Sequence, residues 1–330
     1  MKFSILGAGG WGTAFARLLA QAGHDTVLWA RDPRQAKSIR DTLRNAKYLP
    51  EVTLPANHLE MTSDLERAVH HGVLVLAVPS FGVGNLLDRI APLKPSEPIA
   101  INLAKGLDRE TKRTMSELAE AALPGVNAFA LSGPSHAEEV GADMPTAVVL
   151  AGRDLELGTQ LQREIATSRF RVYLSDDLRG VELCATIKNV IALATGISDG
   201  LGYGDNSRGA LITRGLAEMV RFGRTFDVKD ATFFGLSGLG DLVATCTSEH
   251  SRNRYVGCRL GRGEPIEQIL EGMDMVAEGV HATAIVRQIA AERGIDMPIT
   301  EAVYRLLRGE ADPLPLVDEI MTRTPKREGP

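Results

Sequence analysis

The pattern of apolar residues changes near residue 175 of this 330-residue chain. Before that point short apolar runs alternate with helical stretches, and the runs are KFSILGAG, TVLWA, GVLVLAVP, PIAINLA, NAFALSGP and TAVVLAG. This alternation predicts βα units that build a parallel sheet with helices on both faces. Beyond it, long helical patterns dominate and no strand pattern recurs. We therefore predict an α/β domain with a doubly wound sheet over residues 1–175, followed by an all-α domain over residues 176–330.

Charge and cysteine content exclude several classes of protein. A formal net charge of −5 argues against a general nucleic-acid binder. The cysteines, Cys184, Cys246 and Cys258, show no paired spacing, and the histidines, including His70 and His71, show no metal-ligand pattern. The start of the chain lacks a signal-peptide pattern, and no apolar run approaches the roughly 18 residues of a membrane span. We expect a cytoplasmic protein without a bound metal or an inserted segment.

A glycine-rich motif stands between the first predicted strand and the first predicted helix. Gly7, Gly9 and Gly12 form G-x-G-x-x-G, and the second predicted strand follows about 20 residues later. In this context the motif indicates a Rossmann-type dinucleotide site. Gly7 then permits a tight turn, Gly9 permits close approach of the diphosphate, and Gly12 permits close helix–strand packing. The alternative is a turn with a purely structural role.

The residues that follow the second strand, Arg31 and Asp32, bear on the choice of dinucleotide. An acidic residue there binds the ribose 2′-hydroxyl of NAD, whereas an arginine accepts the 2′-phosphate of NADP. Because the arginine comes first, we predict that NADP is preferred and that NAD is accepted. In the alternative, Arg31 and Asp32 form only a solvated surface pair.

A lysine and an asparagine interrupt an apolar helical run in the segment IKNVIALATG. Packing does not explain Lys188 and Asn189 at these positions. A lysine among apolar side chains has its pKa lowered by desolvation, which suits it to proton exchange near neutral pH. In the alternative, Lys188 extends its stem to place the ammonium in solvent.

Further motifs make the chain resemble one enzyme family. They are GAGGWGTAFA, AVPS, AKGLD, LSGPSHAEEV, IKNVIALATGISDGLGYGDNSRGALITRGLAEM, GLSGLGDLVATCTS, SRNRYVG and AEGV. In this order, and over nearly the whole chain, they resemble the bacterial-type NAD(P)-dependent glycerol-3-phosphate dehydrogenases. One departure is His136, which follows Ser135 where the family pattern has phenylalanine, and it puts the local packing of the cofactor pocket in doubt.

The resemblance implies a reaction and an assembly. The reaction is reversible hydride transfer between NAD(P)H and dihydroxyacetone phosphate, which gives sn-glycerol 3-phosphate for glycerophospholipid synthesis. The implied assembly is a homodimer. Two alternatives stay open. One is another two-domain dehydrogenase, acting on a hydroxy acid or a sugar nucleotide, and the other is a nucleotide-sensing protein without catalytic activity.

The resemblance also assigns site residues, with Lys188 as the proton acceptor in alcohol oxidation. The implied substrate-binding residues are Lys105, Gly133, Ser135, Lys188, Asp241, Ser251, Arg252 and Asn253. The implied cofactor-binding residues are Gly7, Gly9, Gly10, Trp11, Gly12, Arg31, Tyr48, Lys105, Ala137, Arg252, Val276 and Glu278.

Each of these positions also has a plainer interpretation. Lys105 follows a strand and is otherwise a surface lysine of a loop. Asp241 either orients Lys188, binds a substrate hydroxyl, or caps a helix. Ser251–Asn253 offers hydroxyl, guanidinium and amide donors that suit a phosphate, but the same tripeptide is common in solvated turns. Trp11 either lines the cofactor or packs on the sheet.

Overall fold

The computed structural model describes residues 1–96, 98–273, 275–322 and 324. The chain divides into two compact units, Met1–Glu182 and Leu183–Pro330. The predicted domain boundary after residue 175 lies just before a helix that begins at Leu178, and the observed division falls inside that helix.

An eight-stranded sheet forms the centre of the first unit, with the strand order β10-β9-β8-β7-β6-β1-β2-β5. The strands are β1 (Lys2–Leu6), β2 (Asp25–Trp29), β3 (Arg44–Asn45), β4 (Leu49–Thr53), β5 (Leu59–Thr62), β6 (Val73–Leu76), β7 (Ile99–Asn102), β8 (Asn127–Ser132), β9 (Thr146–Gly152) and β10 (Phe170–Ser175). β3 and β4 form a separate antiparallel hairpin. All six predicted strands are present, whereas β3, β4, β5 and β10 were not predicted.

The expectation of an entirely parallel sheet is wrong at one position. β9 runs antiparallel to β8, and β10 runs parallel to β9. For β9 to run parallel to β8, the connection between them would have to carry the chain back along the full length of a strand to the edge where β8 begins. The only helix between β8 and β9 is Ala137–Gly141, which at 5 residues is about 7.5 Å long and cannot span a strand of about 20 Å.

Helices cover both faces of this sheet, as predicted for a doubly wound fold. They are α1 (Gly10–Gln21), α2 (Pro33–Thr42), α3 (Leu65–Val69), α4 (Ser80–Ile90), α5 (Met115–Ala122), α6 (Ala137–Gly141) and α7 (Leu155–Ile165), with a short 3-10 helix at Ala91–Leu93. Successive strand residues point to opposite faces, so Ile5 and Leu6 belong to two different buried clusters. Phe15 of α1 packs with Ile5, and Val83 of α4 packs with Leu6.

The remaining elements of the described chain are all helical, which confirms the all-α prediction for the second half. They are α8 (Leu178–Gly200), α9 (Asp205–Gly223), α10 (Asp230–Phe233), α11 (Asp241–Thr247), α12 (Arg252–Gly261), α13 (Ile266–Glu271), α14 (Glu278–Arg293), α15 (Pro298–Leu307) and α16 (Pro313–Met321). A 3-10 helix, Arg224–Phe226, follows α9, and a π-helical turn, Leu236–Gly240, leads into α11.

Helix α8 is buried on every side. By length and composition it is the one described helix that is apolar enough to cross a membrane, but its qualifying stretch is 100% buried inside the protein. The expectation that no apolar run reaches such a length is therefore wrong, because the four charged side chains of this helix do not offset its many Leu, Ile, Val and Ala residues. Complete burial is the environment of a core helix.

Four glycines bring α8 and α12 into backbone contact. A Cβ on Gly196 would lie 2.1 Å from the Arg254 carbonyl oxygen, and one on Gly200 would lie 2.1 Å from that of Cys258. Gly257 and Gly261 approach α8 in the same way, at 2.2 and 2.3 Å from carbonyl oxygens of that helix. Only glycine permits this separation. The contact fixes the start of α12, which carries Ser251 to Asn253, against the helix that carries Lys188.

Candidate active site

The glycine loop is tightly packed at two of its glycines and open at the third. Gly7 has φ +133, and a Cβ there would lie 2.7 Å from the Ala77 carbonyl oxygen. A Cβ on Gly12 would lie 2.1 Å from the Gly7 carbonyl oxygen, so this glycine lets α1 pack on the loop. Gly9, by contrast, has open space where its Cβ would be. α1 begins at Gly10 with no side-chain cap and no acidic residue in its first turn, which leaves its N-terminus suited to an anion.

Arg31 and Asp32 do not pair with each other as the surface alternative supposed. Asp32 is the N-cap of α2, where its carboxylate accepts from the backbone N–H of Arg34 at 2.9 Å. That hydrogen bond lowers the pKa of Asp32. Arg31 is exposed at the end of β2. The carboxylate is thus engaged by its own helix, whereas the guanidinium is accessible.

Lys105 follows β7 and lies beside the loop that follows β8. Its Nζ donates to the Gly133 carbonyl oxygen at 3.2 Å, and the Ser135 hydroxyl donates to the same oxygen at 3.0 Å. Gly133 has φ +144, and a Cβ there would lie 3.0 Å from Cα of Val148. Because β1, β2, β7 and β8 point the same way, these residues and the glycine loop share the carboxyl edge of the sheet, where ligands of such folds bind.

Two buried residues that the sequence did not single out hold the backbone next to Lys105. Asn102 accepts from the Ala104 N–H at 2.8 Å and donates to the Ala104 carbonyl at 3.0 Å. The same amide donates to Glu182 at 2.9 Å, and the Ser116 N–H donates to that carboxyl at 3.0 Å. Complete burial raises the pKa of Glu182 to about 7, although hydrogen bonds from Thr114, Ser116 and Asn102 oppose the shift.

The raised pKa of Glu182 predicts a measurable pH dependence of stability. The folded protein keeps this proton up to about pH 7, whereas the unfolded chain releases it near the ordinary glutamate pKa of 4.5. Between these values the folded state binds more protons, so its stability falls as the pH rises, by about 3 kcal/mol for this group. Glu182→Gln removes the titration. We expect the free energy of unfolding in urea to fall less from pH 5 to pH 8 in this variant, and equal slopes would contradict the shift.

In the second unit, Lys188 is buried and paired with Asp241. Its side chain is 4% exposed, and its Nζ donates to Oδ1 of Asp241 at 2.8 Å and to the Thr245 hydroxyl at 2.5 Å. The alternative in which Lys188 reaches solvent is therefore wrong. Asp241 is the first residue of α11 and Gly240 is its N-cap, so the capping alternative for Asp241 is also wrong. Gly238 lets the turn before Asp241 pack against the backbone of Phe233, because a Cβ on Gly238 would lie 2.2 Å from the Phe233 carbonyl oxygen.

Hydrogen bonds between side-chain amides link Asn189, the neighbour of Lys188, to the start of α14. Asn253 donates to Oδ1 of Asn189 at 2.9 Å and accepts from the Gly279 N–H at 2.9 Å. Ser251 is the buried N-cap of α12, where its hydroxyl accepts from the Arg254 N–H at 3.2 Å. Ser251 and Asn253 are thus built into the fold rather than into a solvated turn. Arg252, between them, is exposed.

The other predicted residues lie at the starts of helices or in the hairpin. Ala137 begins α6 after its N-cap His136, and Glu278 begins α14 two residues after half-buried Val276. Tyr48 is half-buried in the turn between β3 and β4. Trp11 packs on two aromatic rings of the first unit, at centroid distances of 5.7 and 6.4 Å, and its indole N–H is buried without a partner among the described residues.

No pattern in the sequence singled out Thr245, and none assigned a role to Asn189. For Asn189 a signal existed, since its polarity interrupts the apolar run, but its partner lies 64 residues away. Thr245 is four residues after Asp241, the spacing that places two helical side chains on one face. Among the described residues there is no group of three or more His, Cys, Asp or Glu that could hold a metal ion.

Comparison with known proteins identifies the family of the chain. Residues 2–158 match the model for the N-terminus of NAD-dependent glycerol-3-phosphate dehydrogenase, and residues 177–318 match the model for its C-terminus. The chain belongs to the NAD-dependent glycerol-3-phosphate dehydrogenase family. Among its relatives, the NAD(P)+ glycerol-3-phosphate dehydrogenase of Geobacter metallireducens is 48% identical, and the match covers 99% of this chain and 98% of the relative. The enzyme of the same name from Chlorobium phaeobacteroides is 44% identical, with 99% of each chain covered.

A solved member of the family has the same fold. The crystal structure of glycerol-3-phosphate dehydrogenase from Coxiella burnetii superimposes with a TM-score of 0.94 at 39% identity, and covers 98% of this chain and 99% of that one. The resemblance stated from the motifs is confirmed, as is the Rossmann-type fold followed by helices.

Proposed function

We propose that this family member reduces dihydroxyacetone phosphate to sn-glycerol 3-phosphate with NADPH or NADH, and catalyses the reverse reaction. The observation that carries the proposal is the buried contact of Lys188 with Asp241 and Thr245. A protein that only sensed a nucleotide would not need a buried, hydrogen-bonded ammonium of this kind. When bound, the reduced nicotinamide supplies the hydride.

The chain's own residues supply a proton and hold the substrate. As the hydride arrives, negative charge develops on the substrate carbonyl oxygen, and the Lys188 ammonium donates a proton to that oxygen. In alcohol oxidation the neutral amine takes the hydroxyl proton instead. Asp241 positions Lys188 through their 2.8 Å contact. We assign Lys105, Gly133, Ser135, Ser251, Arg252 and Asn253 to the substrate.

The proposed cofactor site fits a dinucleotide. The open Cβ position of Gly9 and the uncapped start of α1 leave room and backbone donors for a diphosphate. We assign Gly7, Gly9, Gly10, Trp11, Gly12, Arg31, Tyr48, Lys105, Ala137, Arg252, Val276 and Glu278 to cofactor binding. Residues 1–175 are then the dinucleotide-binding domain, and residues 176–330 are the substrate-binding domain.

One assay tests the reaction directly. Absorbance at the reduced-nicotinamide band is followed for NADPH and for NADH with dihydroxyacetone phosphate, and with a panel of 2-oxo acids and sugar nucleotides as controls. We expect rapid oxidation with dihydroxyacetone phosphate alone. Faster turnover of a 2-oxo acid or a sugar nucleotide would favour another dehydrogenase class, and no turnover of any compound would favour a sensing protein.

We predict that Arg31→Ala weakens NADPH binding by about tenfold or more and leaves NADH binding nearly unchanged. A charge-assisted hydrogen bond to the 2′-phosphate contributes about 1.5–3 kcal/mol, and only NADPH carries this phosphate. Fluorescence titration with each nucleotide measures both dissociation constants. Arg34→Ala is the matched control, since Arg34 pairs with Asp32 on the same exposed surface. Equal losses for NADPH and NADH would contradict this role of Arg31.

Arg252→Ala is expected to raise the KM for dihydroxyacetone phosphate and to lower kcat. An arginine fork binds phosphate oxygens in pairs, and part of that binding energy positions the reacting carbonyl. Unphosphorylated dihydroxyacetone, a poor substrate already, is expected to lose much less activity. A parallel loss with both substrates would show that Arg252 serves the fold or the cofactor. Arg262→Ala, at the opposite end of the same helix, is the control.

We further propose that the enzyme is a cytoplasmic homodimer that feeds glycerophospholipid synthesis. The family membership supports these assignments. Size-exclusion chromatography with light scattering measures the oligomeric state, and a monomer mass at micromolar concentration would contradict the dimer.

A further inference from the structure

The β3–β4 hairpin contacts the glycine loop through one buried side chain. Asn45 is 1% exposed, and its Nδ2 donates to the Ala8 carbonyl oxygen at 3.0 Å and to the Thr13 hydroxyl at 2.8 Å. Gln35 of α2 donates to the same Ala8 oxygen at 2.8 Å. A single carbonyl in the middle of the G-x-G-x-x-G loop therefore accepts two side-chain hydrogen bonds.

These two bonds determine where the next N–H points. The Ala8–Gly9 peptide is trans, so its planar geometry places the Gly9 N–H opposite the Ala8 carbonyl. While Asn45 and Gln35 hold the oxygen on their side, the Gly9 N–H faces away from both of them. The described residues offer this N–H no acceptor, and Gly9 has open space at its Cβ position. The peptide is thus fixed with its donor toward the space that we assign to the diphosphate.

We propose that Asn45, together with Gln35, is a positioning residue for dinucleotide binding. By holding the Ala8 carbonyl, the two amides keep the Gly9 N–H aimed at a diphosphate before the ligand arrives. Preorganised donors increase affinity because the ligand need not order them. The inference rests on the proposed assignment of the Gly7–Gly12 loop to the dinucleotide.

Strand β4 of the same hairpin offers a matched control. Arg17 of α1 donates to the Thr53 carbonyl at 3.3 Å and forms two hydrogen bonds, of 2.9 and 2.8 Å, with Asp143. Gly141 of α6 packs under the hairpin, where its Cβ would lie 2.7 Å from a methyl group of Val52. Arg17→Met loosens the packing of the same hairpin but leaves both hydrogen bonds to Ala8 in place. Asn45→Ala and Gln35→Met remove those bonds one at a time.

The test measures nucleotide binding without turnover. Fluorescence titration gives the dissociation constant of NADPH, and thermal unfolding gives the stability of each variant. Competition against NADPH gives the dissociation constant of ADP-ribose, which carries the diphosphate but no nicotinamide. A neutral hydrogen bond contributes about 0.5–1.5 kcal/mol, so we expect each single variant to weaken both ligands by about two- to tenfold. We expect the double variant to weaken them more than the product of the single effects, because each amide compensates in part for the loss of the other. The KM for dihydroxyacetone phosphate is expected to stay within twofold.

Three outcomes decide the inference. The inference is supported if Asn45→Ala and Gln35→Met bind both nucleotides more weakly. Arg17→Met must then bind them normally, although its melting temperature falls by a comparable amount. Equally weak nucleotide binding in Arg17→Met would show that only the stability of the hairpin matters. Unchanged binding in the double variant would show that the two amides are irrelevant. Either result overturns the inference. If the unmodified protein binds neither NADPH nor ADP-ribose, the proposed function fails as well, so the two failures are distinguishable.

Discussion

Lys188→Met is expected to lower kcat by at least about 100-fold, since a positioned acid–base group contributes about 10²–10⁴-fold. Methionine retains much of the apolar stem and removes the ammonium. The structure adds an effect on stability, because Asp241 is 3% exposed and would lose its cationic partner. Removing one member of a buried ion pair costs about 3–5 kcal/mol. We therefore expect reduced stability in urea as well as lost turnover, with NADPH binding retained in the fraction that stays folded.

A double variant separates the chemical effect from the structural one. Lys188→Met/Asp241→Asn removes both charges, so we expect it to recover most of the lost free energy of unfolding. Turnover is not expected to recover, because the proton donor is still absent. Recovery of turnover together with stability would show that Lys188 only supports the fold. Near-normal turnover in Lys188→Met itself would remove Lys188 from the mechanism altogether.

Gly9→Ala and Gly12→Ala are expected to differ in their effects on stability. A Cβ on Gly9 meets nothing within 4 Å, and the backbone there, with φ −78, suits any residue. Alanine at this position is expected to leave the melting temperature unchanged or slightly raised. It is also expected to weaken NADPH by about tenfold or more, since displacing the diphosphate from one charge-assisted hydrogen bond costs about 1.5–3 kcal/mol.

Gly12→Ala places a methyl group 2.1 Å from the Gly7 carbonyl oxygen. Backbone on both sides must move, and overpacking of this kind costs about 1–3 kcal/mol or somewhat more. We expect a lower melting temperature, with weaker NADPH binding as a consequence. Thermal unfolding and NADPH titration of both variants measure the contrast. If Gly9→Ala binds NADPH normally, the diphosphate does not lie against Gly9.

The sequence predicted the buried strands but not those at the edges. β6 is a continuous apolar run and β1 and β7 are mostly apolar, because helices cover both of their faces. β5 is an edge strand of four residues, LEMT, with too little apolar character to stand out. β10 alternates buried and exposed residues, and the chain direction of β9 depends on the length of its connection rather than on its own residues.

The site residues were predictable where a local motif carried them, and their partners were not. Lys188 was conspicuous because a charge interrupted an apolar helix. Its partner Asp241 is 53 residues away, and Asn45 is 37 residues from the Ala8 carbonyl that it holds. Such pairs depend on how distant helices and loops pack, so no periodicity within one segment reports them. A buried polar residue in an apolar run signals that a partner exists, without identifying it.

The glycine contact between α8 and α12 limits how this enzyme can adapt. In most helix pairs, side chains set the spacing, and a mutation is absorbed when neighbouring rotamers change. Here main-chain atoms touch, so the spacing is as incompressible as the peptide units themselves. A methyl group at Gly196 or Gly257 would act as a wedge and shift the first turn of α12 relative to Lys188. Variants that accept a larger or smaller substrate are therefore expected to arise by exchange of exposed side chains such as Arg252, while the two helices keep their separation.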